Sequence, residues 1–200
     1  MNFETLIKIA VISYITLFML CFIYKNMTTK IKTGNKIRAK NKDVVINSSL
    51  TTLIFISSLL SIFSVRIYLI MIPIIYLDIT IIKIIGIVLL GLSLFLGIIA
   101  STNLKTSWRV GVLKSQKVDL VNNGLYKYSR NPYFISYFIS YLGLLFISPT
   151  IILSVIIIIT IISFNMMIKK EEKYLKDIHG DKYTNYCKKT PRYLFFTNNN

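Results

Sequence analysis

The chain has 200 residues, is 54% hydrophobic and carries a net charge of +16, with a mean hydropathy of +0.62. It is too apolar for a soluble domain of this length, and its apolar residues come in blocks of membrane-spanning size. The charge does not require nucleic acid: Lys and Arg fall between the apolar blocks, where anionic headgroups and the positive-inside bias account for them.

The first apolar run, 3–24, is long enough to cross a bilayer as a helix. It does not read as a signal peptide, because Glu4 stands where a basic start is expected and no small-residue cleavage site follows. Lys25, Lys30, Lys32, Lys36, Arg38, Lys40 and Lys42 then form a basic loop. A second run covers 44–65. Arg66 ends it, and the short piece 67–77 with Pro73 reads as interfacial or re-entrant. A third run covers 79–100, with Lys83 placed to snorkel.

The polar stretch 101–131 holds Lys105, Arg109, Lys114, Lys117, Lys127 and Arg130 against the single acid Asp119. The fourth run, 133–148, meets Pro149 and then the fifth, 150–168, as a tight helical hairpin. A charged, Tyr-rich tail, 169–200, follows. The expected fold is an all-α integral membrane protein with about five transmembrane helices and a C-terminal amphipathic helix. Charge places the loop 25–43, the stretch 101–131 and the tail together on the cytoplasmic side, with the N-terminus outside. Cys21, Cys187 and the single histidine, His179, lie apart and show no disulfide or metal-ligand spacing.

Four groups of residues have chemistry to offer. Pro132 suits the first turn of a helix and Asn131 its N-cap, so the fourth run begins with exposed N–H groups and Arg130 beside them. Such an end receives a carboxylate, although an Arg at a helix start also serves as a headgroup anchor. Glu171 and Glu172 are adjacent and point about 100° apart on a helix, so at most one faces inward. Glu171 shares an apolar face with Tyr174, Leu175 and Ile178, while Glu172 can pair with Lys176. Tyr183 and Tyr186 stack on one helix face, either as a membrane-interface belt or as walls for a flat or cationic ligand. Trp108 and Arg109 read first as interfacial anchors.

In this order, Trp108–Gly111, Gly124-Leu125-Tyr126, Arg130-Asn131-Pro132, Glu171-Glu172, the Gly180–Tyr186 segment and Pro191-Arg192 resemble the integral-membrane methyltransferases related to isoprenylcysteine carboxyl methyltransferase and the phospholipid N-methyltransferases. The resemblance covers about residues 80–195. It departs from the family pattern at Phe134, where a Tyr is usual, and at Ser136, where a Gly is usual.

The resemblance implies a methyltransferase-like core with a cofactor-binding tail over 79–200, preceded by helices and a basic loop over 1–78. It implies S-adenosylmethionine as cofactor, contacted by Tyr126, Arg130, Asn131, Pro132, Tyr133 and Glu171 or Glu172, and enclosed by Tyr183 and Tyr186. Arg109 or Arg130 would orient the methyl acceptor as catalytic residues. The acceptor would be lipophilic and come from the bilayer, an isoprenylcysteine-like carboxylate first and a phospholipid or small-lipid amine second. A nicotinamide-dependent membrane reductase is third, because Ser136-Tyr137 replaces the Gly-Glu usual there.

Overall fold

The computed structural model describes residues 2–113 and 119–194, so Lys114 and Lys117 of the basic stretch lie outside the described residues. Among these, seven α-helices follow in chain order: α1 (Phe3–Thr33), α2 (Lys42–Phe63), α3 (Val65–Ile70), α4 (Thr80–Asn103), α5 (Pro132–Ile147), α6 (Ile151–His179) and α7 (Asp181–Lys189). The only strand-like pairings among them are two isolated bridges.

Helices α1, α2, α4 and α6 are each long and apolar enough to cross a membrane. Their apolar residues go all round, as expected where lipid rather than water covers the outer surface. Helix α5 is the shorter fifth member. Its 16 residues span about 24 Å, less than the roughly 30 Å of a hydrocarbon core. It lies tight against α4. A Cβ placed on Gly86 would sit 2.8 Å from the Gly143 carbonyl oxygen, and one on Gly97 would sit 3.1 Å from Ser136 Oγ. Small residues at these crossings let the backbones approach closely. They also explain Ser136: it is buried, its hydroxyl bonds back to the Tyr133 carbonyl at 2.6 Å, and a larger residue would meet Gly97.

Side-chain bonds show which helix ends lie together. At one end Lys83 pairs with Asp78 (2.7 Å) and approaches Glu4 (3.7 Å), while Ser61 and Ser148 share a 2.6 Å hydrogen bond. At the other, Lys25 Nζ donates to the Lys105 carbonyl (3.2 Å), Trp108 Nε1 to Asn26 (2.8 Å) and Lys170 Nζ to Asp43 (2.8 Å). The five long helices therefore alternate in direction, and the basic segments gather at one end, as charge required. The piece after Arg66 does not cross. It forms α3 and a 3-10 turn, and Ile74 N–H donates to the Pro149 carbonyl at 2.8 Å, which closes the α5–α6 turn.

Several boundaries differ from expectation. Helix α1 continues through Lys25, Lys30 and Lys32 to Thr33, so the basic loop shrinks to 34–41. Its last turns are amphiphilic only through long Lys stems, which blurs the end of the apolar run. The fifth crossing and the tail helix are one continuous α6 as far as His179, where Gly180 breaks it with φ +52°, a backbone conformation that other residues rarely take. Lys83 ends in an ion pair rather than snorkelling alone.

Candidate active site

The turn before α5 and the chain after α7 are buckled together. Arg130 N–H donates to the Pro191 carbonyl (2.9 Å), Ser129 Oγ to the Arg192 carbonyl (3.1 Å) and Thr190 Oγ1 to the Lys127 carbonyl (3.2 Å). Tyr186 Oη donates to the Tyr126 carbonyl at 2.6 Å. Backbone groups that could not be solvated once the tail folds over are satisfied in this way.

Glu172 sits at the centre of the buckle. Arg130 Nε donates to its Oε1 (3.0 Å), and Arg192 donates twice to its Oε2, from Nη2 (2.6 Å) and Nε (2.9 Å). Asn131 Nδ2 adds a longer bond to Oε1 (3.4 Å) and another to the Arg192 carbonyl (3.3 Å). The hydrogen bonds to Glu172 raise the Arg192 pKa above its usual value. Glu172 therefore does not pair with Lys176, and Arg130 is already engaged by a carboxylate. Asn131 does occupy the N-cap position and Pro132 the first turn, but the Asn131 side chain turns to Glu172 and Arg192 and caps nothing. Among the described residues, no hydrogen bond takes up the Tyr133 and Phe134 backbone N–H groups.

Glu171, the adjacent acid, has no ion pair or hydrogen bond to its carboxylate among the described residues. Burial, and then the neighbouring Glu172 charge, push its pKa up to about 7. It lies beyond the apolar part of α6, which ends at Ile168. Its placement on the apolar side of that helix is the one its spacing indicated.

Both glutamates line a cavity of about 340 Å³, a volume suited to a small-molecule ligand. Its polar end carries Arg130, Asn131, Glu171, Tyr126, Tyr183 and Tyr186. Its apolar end reaches between the crossings to Phe18, Phe134, Tyr137 and Phe164. Tyr183 and Tyr186 are only 3% and 8% exposed, their rings 6.1 Å apart, so neither is a belt anchor. Burial raises the pKa of both, and of Tyr126, so all three stay protonated near neutral pH.

Trp108 also departs from the interfacial expectation. It is 2% exposed, and its ring packs edge-on to Tyr133 at 4.6 Å. Arg109 lines the cavity, with Nη1 donating to the carbonyls of Thr106 (2.9 Å) and Trp108 (2.6 Å). Tyr133 lines the cavity as well, whereas Pro132 serves the helix start.

Sequence reasoning missed three residues here. Arg192 stands in the Pro191-Arg192 motif, and its spacing alone does not point to Glu172, 20 residues away. Arg38 lines the cavity and donates to Ser48 Oγ at 2.8 Å. Asn47 lines it from α2, and a lone Asn within an apolar crossing was the available signal.

No curated protein matches the chain. The family profile for phospholipid methyltransferase matches residues 81–182, from α4 to the first turn of α7, and so spans the Arg130 turn and both glutamates. The chain belongs to the phospholipid methyltransferase family.

Proposed function

We propose that this protein is an S-adenosylmethionine-dependent methyltransferase that acts on a lipid amine at the cytoplasmic face of the cell membrane. One observation carries the proposal: a single cavity joins a polar compartment, closed by the tail, to an apolar compartment between membrane-crossing helices. A water-soluble donor and a lipidic acceptor need such a shared space.

The residues present fit the donor. Glu171 is an unpaired carboxylate that suits its ammonium group. The free N–H groups at the start of α5 suit its carboxylate, and Tyr183 and Tyr186 offer ring faces for its base. Arg130, Asn131 and Pro132 act behind these contacts, by fixing the turn and holding Glu172. When bound, the cofactor supplies an electrophilic methyl on a sulfonium, which needs no further activation.

What remains for the protein is positioning and exclusion of water. The aromatic walls at Phe18, Phe134 and Tyr137 desolvate the acceptor. Desolvation disfavours the charged form of an amine, so the head gives its proton to water before it enters the apolar end, and the neutral nitrogen brings the lone pair that takes the methyl. A lipid amine is favoured over an isoprenylcysteine-like carboxylate because the family profile that matches the chain is that of phospholipid methyltransferase. The Glu171 carboxylate supports a cationic cofactor over an anionic nicotinamide nucleotide. The basic end faces the cytoplasm by the positive-inside bias.

The test is incubation of the protein in lipid nanodiscs with methyl-labelled cofactor. Label is expected in an amine lipid of the membrane. Label only in a carboxylate-headed lipid, or in none, would contradict the reading.

A further inference from the structure

The loop 34–41 and helix α2 lie outside the matched residues 81–182, yet both wall the cavity, the loop through Arg38 and the helix through Ser48 among others. The backbone at Arg38 is held in place. Ala39 N–H donates to the Val110 carbonyl (2.9 Å), and Val110 N–H donates to the Ile37 carbonyl (2.9 Å). Ile37 and Ala39 on either side are buried, whereas Arg38 is exposed and so stands at the cavity rim. Its Nη2 donates to Ser48 Oγ at 2.8 Å. Among the described residues no other hydrogen bond takes up its guanidinium, and none of the cavity's acids, Asp119, Glu171 and Glu172, pairs with it. A guanidinium has five N–H donors, so most of its capacity is free for a ligand. The Ser48 hydroxyl accepts from Arg38 and gives its own hydrogen to no described group. The other arginines that line the cavity are engaged: Arg130 by Glu172, and Arg109 by the carbonyls of Thr106 and Trp108. Arg38 also stands near enough to Tyr137, a wall of the apolar compartment, to act on its hydroxyl electrostatically. Met19 of α1 lines the cavity as well and is exposed, so apolar surface fit for a lipid chain continues to the outside.

We infer that Arg38 is a specificity-determining residue: its guanidinium, with the Ser48 hydroxyl beside it, holds the phosphate of the acceptor lipid's head. This rests on the methyltransferase reading and adds to it the contact that selects the head. A phosphodiester carries a negative charge on two free oxygens, which the planar fork of an Arg matches. The two halves of such a head then meet different parts of one cavity. The phosphate stays at the rim, on the basic end of the bundle, while the nitrogen reaches inward. An amine lipid without phosphate gives Arg38 no partner, and its protonated head meets a like charge on the way in. Sites built to bond a polar group discriminate strongly against analogues that lack it.

The experiment compares the whole protein with Arg38→Gln in dodecyl maltoside, a detergent without phosphate. The probes are lauroyl lysophosphatidylethanolamine, which has amine and phosphate, dodecylamine, which has the amine alone, and inorganic phosphate. Binding is read from the fluorescence of Trp108, the single tryptophan, which lines the cavity. Each probe enters micelles equally for both proteins, so the ratio of affinities between the proteins isolates the contact. Arg38→Gln is expected to bind the lysophospholipid about tenfold more weakly and dodecylamine no more weakly than the unmodified protein does. Cofactor affinity, measured by calorimetry, is expected to stay the same. No loss for the lysophospholipid, or an equal loss for both lipid probes, overturns the inference. Inorganic phosphate is expected not to bind at millimolar concentration. If it binds as tightly as the lysophospholipid and depends on Arg38, the site takes a free anion and the lipid assignment is overturned. If Arg38→Gln does not fold, Arg38→Lys decides by the same outcomes, because it keeps the charge and loses the fork. Failure of the unmodified protein to bind cofactor would refute the methyltransferase reading. Normal cofactor binding with unchanged lysophospholipid affinity in the variant refutes the role of Arg38 alone.

Discussion

Arg130 Nε lies 3.0 Å from Glu172 Oε1, and this bond joins the turn that starts α5 to the far end of α6 across 42 residues of chain. Arg192 holds the other oxygen of the same carboxylate at 2.6 Å. One acid thus ties together three segments that meet at the polar end of the cavity. Removing its charge leaves two guanidinium groups, each less than a quarter exposed, facing each other without compensation. Glu172→Gln is expected to lower unfolding stability by roughly 2–4 kcal/mol, measured by thermal or denaturant unfolding in detergent. Arg130→Ala combined with Glu172→Ala should cost clearly less than the sum of the single changes, since they remove one shared interaction.

Glu171 should behave in the opposite way. Its folded-state pKa is raised to about 7 from 4.5, so its contribution to stability is fully present below about pH 4.5 and lost as pH rises through about 7. The protein without cofactor is expected to melt lower at pH 8 than at pH 6, by an amount worth about 1–1.5 kcal/mol. Glu171→Gln should flatten that difference and be the more stable protein at pH 8, as read from melting curves at the two values.

The same acid sets the pH dependence of cofactor binding. A cationic ammonium needs Glu171 ionised, so affinity should fall as pH drops below 7, approaching tenfold per unit, with proton release on binding. Calorimetry in buffers of different ionisation enthalpy measures that release. Glu171→Gln should bind weakly and without the pH dependence.

The α4–α5 crossing gives a test away from the site. Gly86→Ala pushes a Cβ to 2.8 Å from both the Gly143 carbonyl oxygen and Ile147 Cγ1. It is expected to cost about 1–3 kcal/mol in unfolding stability, against little effect for Gly91→Ala, whose Cβ meets nothing within 4 Å.

The sequence made the membrane helices legible because each apolar run is set off by charge or Pro, and Arg130-Asn131-Pro132 and Glu171-Glu172 stood out against that background. It could not divide labour between the two glutamates. Local spacing offered Glu172 a partner at Lys176, but its real partners lie 42 and 20 residues away. The same reason hid Trp108, whose indole bonds Asn26 across 82 residues. Spacing left Tyr183 and Tyr186 open between an interface belt and ligand walls, and only the folding of the tail back onto the Tyr126 turn shows them buried. Asn47 was visible as a polar residue in an apolar helix, but only its packing against Met167 shows that its oxygen lacks a donor.

The most direct measurement is a calorimetric titration of the purified protein with S-adenosylmethionine at pH 7.5, beside Glu171→Ala. Saturable binding with one site per chain, lost in Glu171→Ala, is the expected result. Absence of binding by the intact protein, or equal binding by both proteins, would contradict a cofactor held at this end of the cavity.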